Sequence, residues 1–310
     1  MIARSRAIRA AYSVRRGVAA ICTILLFGLA SSFGAPDGLA RDVDSGQVTA
    51  YLRGVPVTVY TYRPKGCSDP ALLFIFHGIG RKASSYQKSA RSLADERCMI
   101  VFAPLLDKEN FPVWRYQLGG IIRDGKVIPR EEWAVWVVAD LVTWARLEER
   151  RLNAPYYLFG HSAGGQFLSR VAAFSLPKDA TRIVIANPST YVLPSTDERA
   201  PYGLGGVFSP AEAESQLRAY LQLPITIYLG EDDTGDENLS QSTAAKRQGS
   251  NRLERGERAF EMASSIAKAK GWDFRWRMVK APDIGHSAGG MLRADEALAA
   301  FNASEPEPAH

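Results

Sequence analysis

The six residues Gly160-His161-Ser162-Ala163-Gly164-Gly165 stand directly between the apolar run Tyr156-Tyr157-Leu158-Phe159 and the helix-like stretch from Gln166 to Phe174. A serine on a sharp turn from strand to helix needs residues without side-chain bulk two before and two after it, here Gly160 and Gly164. The order strand, G-x-S-x-G, helix therefore commits this part of the chain to an α/β unit with Ser162 at a strand end, as a candidate nucleophile. The same six letters recur as Gly285-His286-Ser287-Ala288-Gly289-Gly290. There, however, Lys280-Ala281-Pro282-Asp283-Ile284 puts a proline-containing loop where a strand end is required. A nucleophile at Ser287 would also leave only 23 residues for its partners, with His310 the only later histidine. The second copy reads as the loop that delivers a base, His286. The flanks of the two copies differ, so the repeat is coincidence and not duplication.

The 310 residues, 46% of them hydrophobic, suffice for one large core, and a single domain over residues 41–301 is expected. The net charge of +5 hints at an anionic partner until its location is examined. Residues 1–40 hold Arg4, Arg6, Arg9, Arg15 and Arg16 against Asp37 alone, and without them 33 basic and 32 acidic residues remain, a net charge of +1. That balance supplies no electrostatic reason for nucleic-acid binding. The arginines precede the apolar run Val18 to Leu29, which is short for a membrane span and is followed by small residues. Residues 1–40 are read as a secretory signal peptide with cleavage after Ala40 preferred over Ala30, which implies a periplasmic or secreted protein with no membrane association after cleavage. Residues 302–310 form a polar tail expected to be mobile.

After an antiparallel hairpin over Gln47 to Tyr62, strand and helix signals alternate. Leu72 to Phe76 is a continuous apolar run, as in a strand buried on both faces. A helix from Tyr86 to Arg97, strand Met99 to Phe102, a helix from Glu131 to about Arg150 and strand Tyr156 to Phe159 follow. Helix Gln166 to Phe174, strands Arg182 to Ala186 and Ile225 to Leu229, helix Glu257 to Lys270, strand Asp273 to Val279 and helix Met291 to Phe301 complete the pattern. It predicts an α/β fold, a mostly parallel central sheet with helices on both faces and an antiparallel N-terminal hairpin. Two segments break the rhythm, Leu105 to Arg130 and Asn187 to Leu223. Both follow strand C-terminal ends, and their Trp114, Tyr116, Tyr191 and Tyr202 are expected to wall a substrate pocket. No nucleotide-binding glycine loop is found. Four scattered histidines without paired carboxylates or cysteines point to no metal, and no cofactor is called for.

A serine hydroxyl needs a base to take its proton, and the base needs a carboxylate to hold its tautomer. His286 is the best base. Strand Ile225 to Leu229 ends in Gly230-Glu231-Asp232-Asp233, which offers the carboxylate. With these residues the chain resembles the α/β-hydrolases over most of residues 47–301, in the order Ser162, Asp233, His286. A Gly-x-x-Asp ending before the acid, common in that family, maps to Gly230 and Asp233, with Asp232 the runner-up. His77-Gly78-Ile79-Gly80 resembles the family's oxyanion loop, which implies the N–H groups of Ile79 and Ala163 as donors. His77 and His161 are read as structural. Within the family the chain is most similar to secreted esterases resembling polyhydroxybutyrate depolymerases and feruloyl esterases. The resemblance implies a serine esterase acting through an acyl-enzyme on a small or polymeric ester. A peptidase or acyltransferase would use the same triad, while a non-catalytic binding protein is disfavoured because all the catalytic features are present. The resemblance also makes the strands after Cys67 and Cys98 parallel neighbours, and in an oxidising compartment these two cysteines are expected to form a disulfide.

Overall fold

The computed structural model describes residues 43–303, so the signal-peptide reading of residues 1–40 and the tail beyond Ala303 lie outside the described residues. The chain enters through a hairpin of β1 (Gly46–Leu52) and β2 (Val55–Tyr62), then β3 (Ala71–Phe76), the short helices α1 (Ala83–Ser89) and α2 (Arg91–Arg97), and β4 (Met99–Pro104). Next come the one-turn helix α3 (Val113–Tyr116), a small ribbon of β5 (Ile122–Arg123) and β6 (Lys126–Val127), and α4 (Val137–Glu148). The central unit is β7 (Tyr156–His161), α5 (Ala163–Ser175) and β8 (Arg182–Ala186). Then follow α6 (Pro210–Leu221), β9 (Ile225–Gly230), α7 (Thr243–Lys246), α8 (Arg252–Lys270), β10 (Arg277–Ala281), α9 (Ala288–Arg293) and α10 (Glu296–Ala300).

Eight strands form one sheet in the order β1-β2-β4-β3-β7-β8-β9-β10. The β1/β2 and β2/β4 pairs are antiparallel, and all pairs from β4 to β10 are parallel. The apolar run in β3 follows from this position: Leu72, Phe74 and Phe76 face one core while Leu73 and Ile75 face the other. The first core lies beneath α4, α5, α6 and α8, and the second beneath α1, α2, α9 and α10. Truncating a side chain such as Phe74, which stacks on Phe102 at 5.3 Å, costs on the order of 3–5 kcal/mol in such a core.

Several element boundaries depart from the sequence reading, each for a packing reason. The helix expected from Glu131 starts only at Val137, because Trp133 takes an extended backbone that buries its ring against Phe174 and Phe208. Its indole N–H donates to the Ile128 carbonyl at 3.0 Å. The segment Asn187 to Leu223 contains α6, whose start is written as Ser209-Pro210-Ala211-Glu212, a capping box with proline at the first helical position. The tail is tied down further than expected, since Arg182 Nε donates to the Asn302 carbonyl at 3.1 Å. Cys67 and Cys98 do lie at the same sheet edge, next to the Ala71↔Met99 pair, but both are free thiols and the expected disulfide is absent. The two thiols are close enough that the interaction with Cys98 is the main cause pushing the Cys67 thiol up to about 11. Adjacency alone does not make a bridge, which requires the sulfurs to lose their protons and close to bonding distance.

Candidate active site

Four chain segments meet beyond the C-terminal ends of β3, β7, β9 and β10. At the end of β7, Ser162 has φ 56° and ψ −116°, a conformation that costs a non-glycine residue on the order of 1–3 kcal/mol and persists only where the surroundings enforce it. They do so here. The Ser162 N–H donates to the Ala186 carbonyl at 3.0 Å, and its own carbonyl accepts from Gln166 N–H at 2.9 Å in the first turn of α5. Added methyl groups would run into backbone on every side: Gly160 against the Gly164 carbonyl, and Gly164 against the carbonyls of Phe76 and His77. The glycines at these two positions are therefore required by the close approach of β3, β7 and α5.

Ser162 Oγ lies 3.0 Å from His286 Nε2, and His286 Nδ1 lies 2.6 Å from Asp233 Oδ2. The structure thus brings together three residues separated by up to 124 positions in sequence. Asp233 is buried, while Asp232 is exposed and directs its N–H to the Ile284 carbonyl at 3.1 Å. An ionised Asp233 makes His286 Nδ1 the protonated nitrogen and leaves Nε2 free to accept from Ser162. Ser287 is not part of this set; its Oγ accepts from Gly290 N–H at 3.1 Å and caps α9.

Above β3, His77 is buried, and burial lowers its imidazole to about 4, so it is neutral. Its Nε2 accepts from Leu106 N–H at 3.1 Å, which puts the proton on Nδ1, 2.9 Å from the Gly78 carbonyl. That carbonyl also accepts from Arg81 N–H at 3.1 Å. In a trans peptide the N–H points opposite to the C=O, so this grip on Gly78 turns the Ile79 N–H the other way. Ala163 is the first residue of α5, where N–H groups have no intrahelical acceptor and the helix dipole favours negative charge. Tyr116, packed at 5.1 Å on the His77 ring, donates its hydroxyl to the His77 carbonyl at 2.6 Å and braces the loop from behind.

The cleft at Ser162 has a volume of about 500 Å³ and is lined by Gly78, Ile79, Gly80, Lys82, Tyr86, His161, Asn238, His286 and Ala288, among others. None of the four expected wall aromatics is there. Tyr116 is fully buried. Tyr191 is buried against Gly256, and Tyr202 lies near the Arg170 guanidinium with its hydroxyl 3.3 Å from Ser242 Oγ. Trp114 belongs to a separate surface groove with Arg115 and Arg123. The long segments turn Tyr116 and Tyr191 into the core, because large apolar surface gains more by joining a core than by facing an open cleft.

Two residues of the site escaped the sequence reading. Arg252, buried at the start of α8, places Nη1 3.3 Å from Asp233 Oδ1 and Nη2 2.5 Å from the Glu237 carbonyl, anchoring the acid loop. Its only signal is that it shares the buried helical face with Arg255, Ala259 and Ala263. Tyr86 on α1 reaches the cleft with its hydroxyl 3.1 Å from His161 Nδ1, and nothing in its local sequence marks it. His161 is itself buried, its ring 4.6 Å from that of His286 and tilted 34° to it, and burial with the nearby His286 holds it neutral, well below the ordinary histidine range. Among the described residues no cluster of metal-ligating side chains occurs, and no helix is long and apolar enough to cross a membrane.

A scan against protein-family models and a search of curated proteins find no match. Solved structures do match. The poly(3-hydroxybutyrate) depolymerase LpqC from Bordetella parapertussis is 30% identical, with a TM-score of 0.76, over 86% of this chain and 93% of its own. Poly(aspartic acid) hydrolase-1 from Sphingomonas sp. KT-1 is 32% identical, with a TM-score of 0.74, over 80% of this chain and 96% of its own. An S-formylglutathione hydrolase from Agrobacterium tumefaciens, 16% identical with a TM-score of 0.50 over 81% of this chain and 92% of its own, shares the fold. Sheet order, strand-end serine and extended similarity to LpqC agree: the chain belongs to the α/β-hydrolase superfamily.

Proposed function

We propose that this hydrolytic enzyme is an exported serine esterase that cleaves carboxylic esters through an acyl-enzyme. The observation that carries the reading is the continuous relay from Ser162 Oγ to His286 Nε2 at 3.0 Å and from His286 Nδ1 to Asp233 at 2.6 Å. In this reading Ser162 Oγ attacks the ester carbonyl carbon as its proton passes to His286 Nε2. Asp233 stabilises the imidazolium and holds the ring in place. The carbonyl oxygen becomes an oxyanion that accepts from the N–H groups of Ala163 and Ile79. Collapse of the intermediate breaks the bond to the leaving alkoxide, which takes the proton from His286. Water, deprotonated by the same imidazole, then releases the acid and restores Ser162. Ile79 is 41% exposed at the mouth of the cleft, which suits a substrate that continues past the reacting bond. A polyester is the favoured natural substrate, in keeping with the depolymerase similarity. The second relative hydrolyses poly(aspartic acid), so a polyamide is the alternative polymer to include in assays.

The test pairs a fluorophosphonate probe with two variants. Ser162→Ala should abolish labelling and lower kcat on a short-chain ester by about 10⁴- to 10⁶-fold. Ser287→Ala should retain most activity, because that hydroxyl only caps α9. A dead Ser287→Ala beside an active Ser162→Ala would reverse the assignment.

A further inference from the structure

The hydroxyl of Tyr86 is held at the cleft beside the Gly78 backbone. His161 Nδ1 lies 3.1 Å behind it. A methyl group built on Gly78 would lie 2.7 Å from this hydroxyl and 3.6 Å from Ser162 Cβ, so the hydroxyl and the serine face each other across the Gly78 Cα.

The direction of the Tyr86 proton follows from counting donors. His161 is neutral and carries a single N–H. Its Nε2 is buried with no hydrogen-bond partner. A proton on Nε2 would leave a buried N–H orphaned, whereas a proton on Nδ1 leaves only a bare lone pair, which proteins tolerate more readily. The Nδ1–H tautomer is therefore the stable one, and it donates to Tyr86. With His161 Nδ1–H directed at its oxygen, Tyr86 cannot donate its own O–H back to that ring. The O–H is left for the cleft that Tyr86 lines, where no acceptor for it stands among the described residues. Burial pushes the phenol up to about 12, so that proton stays on at neutral pH.

We propose that Tyr86 is a further catalytic residue, whose O–H donates a hydrogen bond to an oxygen of the substrate's carboxyl group as it reacts at Ser162. This rests on the serine-esterase reading of the same cleft. A preorganised neutral donor of this kind stabilises the charge that develops on the reacting oxygens without any side-chain reorganisation.

The experiment compares wild type and Tyr86→Phe on an alkyl ester and a p-nitrophenyl ester of the same acyl chain, after end-point fluorophosphonate labelling has counted intact sites. Tyr86→Phe should label stoichiometrically and lose about 10- to 100-fold in kcat on the alkyl ester, with KM little changed and the acid limb of the pH–rate profile in place. An equal loss on both esters puts the donor on the acyl oxygen; a larger loss on the alkyl ester puts it on the leaving oxygen. Activity within twofold of wild type on both esters overturns the proposal. So does a loss fully accounted for by a shifted acid limb, which would make Tyr86 only a positioning residue for His286. An independent measurement on the wild type guards against a Tyr86→Phe that does not fold: ¹⁵N histidine spectra should show His161 protonated at Nδ1. Protonation at Nε2 would mean that Tyr86 donates to His161 and has no proton for substrate. A wild type that neither labels at Ser162 nor hydrolyses esters defeats the functional reading itself, which is a separate outcome.

Discussion

Acidification should destabilise this fold through imidazoles that it buries uncharged. His77 titrates at about 4 in the folded chain because burial disfavours its charged form, against an ordinary value near 6.5. Between those two values the unfolded chain binds a proton that the folded chain refuses. Stability is therefore unaffected by this group above pH 6.5, falls as pH drops through the window, and levels off below about 4. At about 1.4 kcal/mol per pH unit, the window corresponds to a loss of roughly 3 kcal/mol from His77. His161, also shifted downward by burial, adds to the loss with the same sign. For a domain of this size 1 kcal/mol moves Tm by about 2–4 °C, so His77 accounts for a fall of roughly 6–12 °C. Thermal and urea unfolding of wild type and His77→Gln from pH 7.5 to 4 tests this, because carboxylates that titrate in the same range are common to both proteins. The variant should show a pH slope shallower by up to one proton between pH 6.5 and 4. Parallel stability curves for the two proteins would refute the reasoning, since His77 would then titrate equally in both states.

Two further outcomes are expected. Asp233→Asn should lower kcat by about 10⁴-fold by releasing the His286 tautomer, whereas Asp232→Asn, altering an exposed side chain, should leave it near normal; a dead Asp232→Asn with an active, folded Asp233→Asn sinks the assignment. Gly164→Ala drives a methyl group into the carbonyls of Phe76 and His77, so stability should fall by about 1–3 kcal/mol and kcat by about 100-fold or more as Ser162 is displaced. Wild-type Tm and kcat in Gly164→Ala would show that β3 and α5 are not locked together as the structure has them.

How much of this was legible in sequence depends on the range of the interaction that decides it. The elbow was legible because its determinants are local: a strand, two glycines forced by backbone approach, and a helix start, all within a few residues of Ser162. The double-sided burial of β3 was written in the unbroken apolar run of Leu72 to Phe76, which no half-exposed strand would carry. The order of serine, acid and base along the chain came from the family resemblance, and the geometry joins those same residues. The capping box of α6 is equally local, written in Ser209-Pro210-Ala211-Glu212. Tertiary packing alone decided which aromatics face substrate, since Tyr116 and Tyr191 look the same in sequence whether they point into a core or a cleft. It also decided that Trp133 leaves the helix to pack edge-on against the stacked pair Phe174 and Phe208, and that Arg252 stands behind Asp233. Tyr86 belongs with these. Its place beside His161 depends on how α1 packs on β2, β3 and β4 so that the hydroxyl reaches the end of β7, a long-range arrangement that no residue pattern around position 86 encodes.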